Sequence, residues 1–311
     1  MYLYAQSPQL PVEVYGKLPS KSILVLSPDA TRLAYRDTAD NKDLMVIIDL
    51  ATHSVISAID VSSVKPTNIF FIDNDRVVLT TSENKHIWGY TGRYNINKAY
   101  TYNLKAKKIH QLLTQGYGIH QGQTQLGNIL GVSPDKKYAY MPAYQNGDLL
   151  NLYRVDLEKR VKPRLHRLGT SDAIDFFLNE SGEVIARERY DNEDDLHRID
   201  AVVDGKWKEI FREKTPYRTK SFNGLTPDRK SLVMFSQDKE HSRWAYYTMS
   251  LTDGKISAPV FSHPDKDVEQ VLTDINRIVH GVRYSGFTPS YEFFDQTLNA
   301  KMNGLKKAIS I

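Results

Sequence analysis

The sequence predicts an all-β protein: a β-propeller of about six four-stranded blades with a short C-terminal helix. Three observations support this prediction. A short turn motif recurs along the 311 residues, its copies follow at a nearly constant spacing, and a second strand motif keeps the same phase. A repeat with a period of about 40–50 residues decides the whole architecture.

The turn motif is Ser or Thr followed by Pro and Asp, and a β-rich run follows each copy. Its complete copies are Ser27-Pro28-Asp29, Ser133-Pro134-Asp135 and Thr226-Pro227-Asp228, and its degenerate copies are Asn74-Asp75, Ser181-Gly182 and Asp274. Proline presets φ, Asp and Asn bond their own backbone, and Gly accepts positive φ, so these residues join two antiparallel strands tightly. The steps between markers at 29, 75, 135, 182, 228 and 274 are 46, 60, 47, 46 and 46 residues, and the outlier indicates an insertion.

The second motif is a strand that ends in a polar residue and leucine, 20 to 22 residues after a complete marker. Its copies are Ile48-Asp49-Leu50, Val155-Asp156-Leu157 and Met249-Ser250-Leu251, with Tyr102-Asn103-Leu104 displaced by the insertion. Each unit therefore contains about four short strands, as a propeller blade does. A β-sandwich is the structural alternative, but it gives no reason for a constant period.

The insertion covers roughly residues 83–126 and is rich in aromatic residues and glycine. Its members are Trp88, Tyr90, Arg93, Tyr94, Tyr100, Tyr102 and Tyr117, with Gly89, Gly92, Gly116, Gly118, Gly122 and Gly127. A long excursion of this composition can form a contact surface or a gate, since long loops often carry function. The alternative is an extended hairpin packed on its own blade, with tyrosines covering its face.

The pattern changes past Tyr291. Leu298, Met302, Leu305 and Ala308 recur at helical spacing, which predicts an amphipathic helix over residues 296–309. The sixth unit is expected to contain only its first two strands, around 276–284 and 290–295, before this helix.

Composition excludes several classes of function. The chain has no cysteine, so disulfides, thiolate metal sites and cysteine nucleophiles are excluded. The longest apolar run, Leu44 to Ile48, is far too short to span a membrane. A net charge of +4, spread along the chain, does not predict nucleic-acid binding. Localisation stays open: Leu3-Tyr4-Ala5 fits the end of a trimmed signal peptide, which implies the periplasm, and an ordinary start implies the cytoplasm.

No complete catalytic, cofactor or metal site is predicted. A serine nucleophile elbow needs Gly-x-Ser-x-Gly, and the closest stretch, Gly169-Thr170-Ser171-Asp172-Ala173, precedes a strand rather than a helix. The nine histidines are dispersed, with no His-Glu-x-x-His zinc motif. The acidic run Asp191–Asp195 lacks the glycine and glutamate of a calcium loop, because Leu196 and Val202 occupy those positions, so it is interpreted as a hairpin tip. No glycine-rich phosphate loop is present.

Several stretches form an ordered set along the chain. They are the opening from Leu10 to Pro19, Leu26 to Asp29, Ala186 to Asp191, Asp204-Gly205-Lys206-Trp207, and His263-Pro264 with Asp267-Val268. In this order they resemble the N-terminal propeller of the prolyl oligopeptidase family of serine peptidases, in its bacterial dipeptidyl-aminopeptidase and acylaminoacyl-peptidase branch. In that family, a seven-bladed propeller covers a C-terminal α/β-hydrolase domain with a Ser-Asp-His triad and admits only short peptides.

The resemblance implies a division of the chain into an N-terminal extension (1–20), the propeller (21–295) and a helical segment (296–311). That segment would lead to a last blade and a hydrolase domain, which are absent here. The chain would then be a non-enzymatic domain of a longer protein, a truncated product or a standalone propeller. Its implied partners are the hydrolase domain and peptide substrates.

Three hypotheses of function follow. The first is a propeller that gates and selects peptides for a serine peptidase, with the insertion 83–126 as the first place to look for contacts. The second is a standalone scaffold that binds a protein or peptide partner. The third is a lactonase-type enzyme with a metal at the propeller axis. Unpaired blade edges also predict self-association.

Overall fold

The described part of the chain forms six successive, mainly antiparallel β-sheets followed by one helix, which confirms the predicted β-propeller fold. The computed structural model describes residues 19–145, 149–238, 242–286, 288 and 290–309. Nearly all of the predicted N-terminal extension, with Leu3-Tyr4-Ala5 and most of the Leu10–Pro19 stretch, lies outside the described residues.

The strands follow one another along the chain, sheet by sheet. The first sheet contains β1 (Lys21–Leu26), β2 (Arg32–Asp37), β3 (Leu44–Asp49) and β4 (Val55–Asp60). The second sheet contains β5 (Lys65–Phe71), β6 (Arg76–His86), β7 (Arg93–Asn103), β8 (Lys108–Gln111) and β9 (Gln125–Leu126). The third contains β10 (Gly131–Val132), β11 (Tyr138–Tyr144), β12 (Leu150–Asp156) and β13 (Arg164–Arg167); the fourth contains β14 (Ala173–Leu178), β15 (Val184–Asp191), β16 (Leu196–Val203) and β17 (Lys206–Lys214).

The last two sheets have three strands each. The fifth contains β18 (Ser221–Leu225), β19 (Ser231–Asp238) and β20 (Arg243–Ser250), and the sixth contains β21 (Val268–Thr273), β22 (Val279–Tyr284) and β23 (Ser290–Phe293). In the fifth sheet, isolated bridges from Tyr246 to Phe261 and from Met249 to Ile256 occupy the fourth-strand position. The prediction of only two strands in the sixth unit was wrong, since this sheet has three. The first strand of each sheet precedes its marker, so β21 belongs to the sixth sheet.

The three complete markers have the same hydrogen-bonded geometry. The hydroxyl of Ser or Thr donates to the Asp carboxylate two residues later at 2.6 Å, and this carboxylate accepts the backbone N–H two residues further on. The residue after Asp has a φ between 55° and 57° in every copy, namely Ala30, Lys136 and Arg229. These contacts lower the pKa of all three aspartates, with the hydroxyl bond as the largest cause. The repeat is therefore a repeated turn structure.

The degenerate markers are shorter Asx-type turns. Asn179 and Asp274 each accept a backbone N–H four residues ahead through their own side chain, and Asp73 accepts the N–H of Arg76. The side chain thus replaces the hydroxyl of the complete motif. This explains why the period survives where the Ser-Pro-Asp sequence does not.

The chain divides into two compact units, each with its own core. One unit comprises the described residues up to Glu83 together with Tyr102–Lys108, and the other comprises Asn84–Thr101 and the described residues from Ile109 onward. The first unit packs residues such as Met45, Ile47 and Leu79 between β2, β3 and β6. In the second unit, three clusters fill the spaces between successive sheets. Strands β11 and β12 are buried along most of their length, so they do not alternate.

The C-terminal helix α1 (Gln296–Ile309) begins where the sequence predicts it. The carboxylate of Asp295 accepts the N–H of Thr297 at 2.8 Å, and the side-chain amide of Asn299 binds the backbone N–H and C=O of Phe293. These bonds attach the helix to the end of β23. No helix in the described part of the chain is long and apolar enough to cross a membrane.

Candidate functional site

The insertion forms an extended hairpin whose tip is solvent-exposed. Strands β6 and β7 are 11 residues each, and the turn between them presents Trp88 with 85% of its surface exposed. Gly89 and Gly92 flank this turn with φ of 83° and 90°, a backbone conformation that other residues rarely adopt. The sequence thus folds into a sharp turn that leaves a large aromatic side chain mostly exposed.

A second loop, residues 112–124, folds back against this hairpin. The hydroxyl of Tyr90 lies 3.4 Å from Nε2 of His120, and β9 pairs with β7 in parallel, with Asn97 opposite Gln125. The two segments approach closely at Gly122, where a Cβ would lie 2.5 Å from the Tyr90 hydroxyl. The hairpin and the loop therefore form two walls of one structure within the second unit.

These walls border an open cavity of about 460 Å³, which we call the insertion cavity. Its lining residues are Lys85, His86, Ile87, Trp88, Ile96, Lys98, Gln111, Thr114, Gln115, Gly116, Gln121 and Leu126. Ile87, Ile96 and Leu126 are buried and give the cavity an apolar floor. No carboxylate is present among the lining residues.

The polar lining consists of amides and cations. Gln115 uses its Nε2 to donate to the carbonyl of Gln121 at 2.7 Å, and Gln111 donates to the carbonyl of Leu113 at 3.0 Å. These bonds orient both glutamine side chains and leave their Oε1 atoms as acceptors. An apolar floor, an exposed indole and fixed amides match the composition of sites that bind small ligands and short peptides.

The structure brings together only part of the aromatic set that the sequence singled out. Trp88 lines the insertion cavity, and Tyr90 and Tyr94 pack edge to face beside it with ring centroids 6.4 Å apart. Tyr102 belongs instead to the core of the first unit, where its hydroxyl lies 2.9 Å from that of Ser57. Tyr117 points toward the third sheet, with its ring 5.9 Å from Lys162 Nζ. The insertion is thus both an extended hairpin and the wall of a cavity.

The remaining members of the set have structural contacts. Arg93 donates through Nε to Asn84 at 2.8 Å, and Tyr94 donates to the carbonyl of Thr91 at 2.8 Å. Tyr100 is half-buried on β7. Of the other glycines, Gly116 and Gly118 have positive φ, and Gly127 approaches the backbone of Lys98 so closely that a Cβ would lie 2.9 Å away.

The other stretches weighed as sites are turns. Gly169 to Ala173 leads into strand β14, with the Thr170 hydroxyl donating to Asp172 at 2.8 Å. The acidic run from Asp191 to Asp195 joins β15 to β16, and the Asp191 carboxylate accepts the N–H groups of Glu193 and Asp194. Among the residues that the structure describes, no three His, Asp or Glu side chains are grouped to hold a metal ion.

The fourth sheet contains a charged network that sequence reasoning missed. Asp172 lies 2.9 Å from Arg189 and 2.6 Å from Arg198, and Asp200 lies 2.8 Å from Arg187 and 3.2 Å from Arg189. Burial alone would raise the pKa of Asp172, but the bonds from Arg189 and Thr170 and the charges of both arginines outweigh burial and lower it. The network ties β14, β15 and β16 together at one end of the sheet.

The glutamines of the insertion cavity were also missed. Five glutamines fall within residues 111–125, at positions 111, 115, 121, 123 and 125, and the first three of these line the cavity. This density of glutamines is visible in the sequence. The sequence of a polar loop does not indicate, however, which of its side chains line the same cavity.

Comparison with known proteins finds similarity to this chain in solved structures. No protein-family model matches it, and no curated protein matches it. Among solved structures, the β-propeller domain of the trilobed protease from Pyrococcus furiosus is 12% identical, with 89% of this chain and 81% of that chain covered and a TM-score of 0.51. This match shows the same fold.

Two further matches are longer proteins. The acylaminoacyl peptidase from Pyrococcus horikoshii is 9% identical, with 92% of this chain and 47% of that chain covered and a TM-score of 0.49. TolB from Acinetobacter baumannii is 20% identical, with 76% and 53% covered and a TM-score of 0.42. The chain therefore spans about half the length of each.

Proposed function

We propose that this chain is the substrate-selecting propeller of a serine peptidase related to prolyl oligopeptidase, and that it holds short peptide segments in the insertion cavity. The observation that carries the proposal is the lining of this cavity: an apolar floor, the exposed indole of Trp88 and oriented glutamine amides. Glutamine oxygens accept the N–H groups of a peptide, and an indole packs on an apolar or proline side chain.

The proposed mechanism is steric and non-catalytic. The blades restrict access, and the insertion cavity retains peptides that are short enough to enter. Hydrolysis belongs to an α/β-hydrolase domain with its own Ser-Asp-His triad, which would be the principal partner of the propeller. The order of family-like stretches along the sequence, from Leu26–Asp29 to Asp267-Val268, supports this assignment within the family.

Peptide binding tests the proposal. The probe is a fluorescein-labelled, uncharged octapeptide that contains one proline and two leucines, and fluorescence anisotropy with the full chain gives its Kd. Trp88→Ala should weaken binding about tenfold, as truncation of a central aromatic contact does. Trp88 is largely exposed, so its removal should leave the melting temperature unchanged.

Trp244→Ala provides the matched control, since this indole is also exposed but lies on β20 and stacks on Phe235. The control should bind the octapeptide as the wild type does. Equal losses in the two variants, or no binding by the wild type, would reject the insertion cavity as the peptide site.

The DNA sequence on either side of this reading frame distinguishes a peptidase module from a standalone scaffold. A following in-frame segment that encodes Gly-x-Ser-x-Gly with later Asp and His would support the module. A stop codon with no hydrolase gene nearby would favour a scaffold that uses the same cavity for a peptide or protein partner.

A further inference from the structure

The outer edge of the third sheet contains an unusual concentration of positive charge. Residues 159–167, which we call the basic edge, include Lys159, Arg160, Lys162, Arg164 and Arg167 and contain no Asp or Glu. These five charges exceed the net charge of +4 of the whole chain. All five side chains are exposed. The positive charge is therefore locally concentrated here, although it looks dispersed over the full sequence.

None of the five side chains forms an ion pair with another residue that the structure describes. Their contacts are with aromatic rings: Lys162 lies 5.9 Å from the Tyr117 ring, and Arg167 lies 5.3 Å from the Trp207 ring. The neighbouring edge strand β17 differs, because Arg212 pairs with Glu209 at 2.7 Å. The charge of the basic edge is thus not neutralised within the described part of the chain.

The backbone of the basic edge is open on one side. Strand β13 is the last strand of its sheet, and among the strands that the structure describes it pairs only with β12, through Leu152–Arg167, Tyr153–Leu165 and Arg154–Arg164. An edge strand presents a row of N–H and C=O groups that can pair with another chain. Three apolar side chains accompany this edge and are more than half exposed, namely Val161, Leu165 and Leu168.

A second cavity of about 710 Å³ lies beside this strand. Val161 and Leu165 provide apolar walls, Lys162 and Arg164 provide charge, and Tyr117 closes one side. Its carboxylate, Asp156, already accepts the backbone N–H groups of Glu158 and Lys159, each at 2.8 Å. The cavity therefore offers apolar surface and unpaired cations together.

We propose that the basic edge docks an extended, acidic polypeptide segment of a partner protein, which adds as a strand beside β13. Acidic side chains of this segment contact Lys162 and Arg164, and an apolar side chain enters the cavity beside Leu165. Strand addition of this kind obtains affinity from main-chain hydrogen bonds and specificity from alternate side chains. Charged side chains on an edge strand also protect it from aggregation. That role alone does not account for the apolar cavity beside β13.

Nucleic acid would use the same charges, but the observations favour a polypeptide. Single-stranded nucleic acid needs successive aromatic platforms for its bases, and among the residues lining this cavity only Tyr117 is an exposed aromatic ring. Exposed valine and leucine side chains match the apolar side chains of an extended peptide instead.

The test uses the full chain and a fluorescein-labelled dodecapeptide of alternating Glu and Val. Fluorescence anisotropy should show binding at about 50 mM salt that weakens at about 300 mM salt. The double variant Lys162→Ala/Arg164→Ala should weaken binding about tenfold, as expected for the loss of two charged contacts. The matched control is Lys206→Ala/Lys208→Ala, which removes two exposed lysines from β17 and should change Kd less than about twofold.

Two further probes separate strand addition from charge attraction alone. The same dodecapeptide with N-methyl groups at alternate residues cannot pair its backbone, so we expect it to bind much more weakly. A labelled oligothymidine should also bind more weakly than the peptide. Equal losses in the two double variants, full binding of the methylated peptide or tighter binding of oligothymidine would each overturn the proposal.

Discussion

The carboxylate of Asp172 lies 2.6 Å from a guanidinium nitrogen of Arg198, which is 26 residues further along the chain. Asp172 immediately precedes β14, and Arg198 lies on β16, so the contact spans the intervening strand β15. Arg189 on β15 completes the arrangement at 2.9 Å, and only 9% of the Asp172 side chain is exposed. The stability of the fourth sheet is therefore coupled to the charge of one aspartate.

Asp172→Asn should lower the free energy of unfolding by about 3 kcal/mol, because it leaves two largely buried guanidinium groups without their shared carboxylate. Urea unfolding monitored by circular dichroism measures this change. Asp265→Asn is the control, since Asp265 is exposed and the same substitution there should change the free energy by less than about 0.5 kcal/mol. Similar losses in the two variants would contradict the coupling.

The stabilisation by Asp172 should depend on pH in a defined direction. Because its pKa is lowered in the folded protein, its contribution is complete above the ordinary pKa of about 3.9 and is lost as pH falls through the lower folded value. The difference in unfolding free energy between wild type and Asp172→Asn should therefore shrink as pH decreases from about 5 to about 2. A difference that grows over this range would refute the assignment.

The marker turns should depend on the buried hydroxyl at their first position. Ser133 donates to Asp135 at 2.6 Å and accepts the N–H of Tyr138 at 3.0 Å. Ser133→Ala should cost about 1–2 kcal/mol in thermal or urea unfolding, because it leaves a buried N–H without its partner. Ser181→Ala in a degenerate turn is exposed and should cost less than about 0.5 kcal/mol. A larger loss of stability for Ser181→Ala than for Ser133→Ala would contradict this role of the marker hydroxyl.

Gly182 should be harder to replace than Gly205, a glycine with positive φ in another turn. A Cβ at this position would lie 2.1 Å from the hydroxyl of Tyr140, a buried side chain, and the φ of 85° is unfavourable for alanine. Gly182→Ala should destabilise by about 3 kcal/mol or more, through overpacking in addition to backbone strain.

Gly205→Ala isolates the backbone component of that loss. Gly205 has a φ of 74° but open space around its Cβ position. We expect it to cost about 1–2 kcal/mol. Equal melting temperatures for the two alanine variants would show that the contact with Tyr140 is unimportant.

The fold was predictable because local turn chemistry repeats at every blade. Ser27, Ser133 and Thr226 occupy equivalent turns, and Asn179 and Asp274 preserve the geometry with a different side chain. The C-terminal helix was predictable from its spacing. The strand count of the sixth sheet was not, because the strand before a marker carries no motif of its own.

The candidate site was predictable only as a segment. Glycine and tryptophan mark the insertion, but two of its tyrosines have other contacts. Tyr102 lies on β7 and packs in the core of the first unit, whereas Tyr117 lies in the loop 112–124 with its ring near Lys162. The partners of Asp172 depend on strand register, which includes a bulge between Ala173 and Asp175 that spacing does not reveal. The basic edge is visible in the sequence, but its significance depends on the fact that its five cations form no ion pair with the residues that the structure describes.

Photo-crosslinking tests the central claim, that the insertion cavity holds a peptide, most directly. The octapeptide with one leucine replaced by benzoylphenylalanine is irradiated with the full chain, and the crosslinked tryptic fragments are identified by mass spectrometry. We predict labelling of fragments 86–93 and 109–136. The first contains Trp88, and the second contains the three glutamines that line the cavity, Gln111, Gln115 and Gln121. The labelling should be lost when unlabelled octapeptide competes. Competable labelling confined to fragments outside these two would contradict the assignment of the cavity.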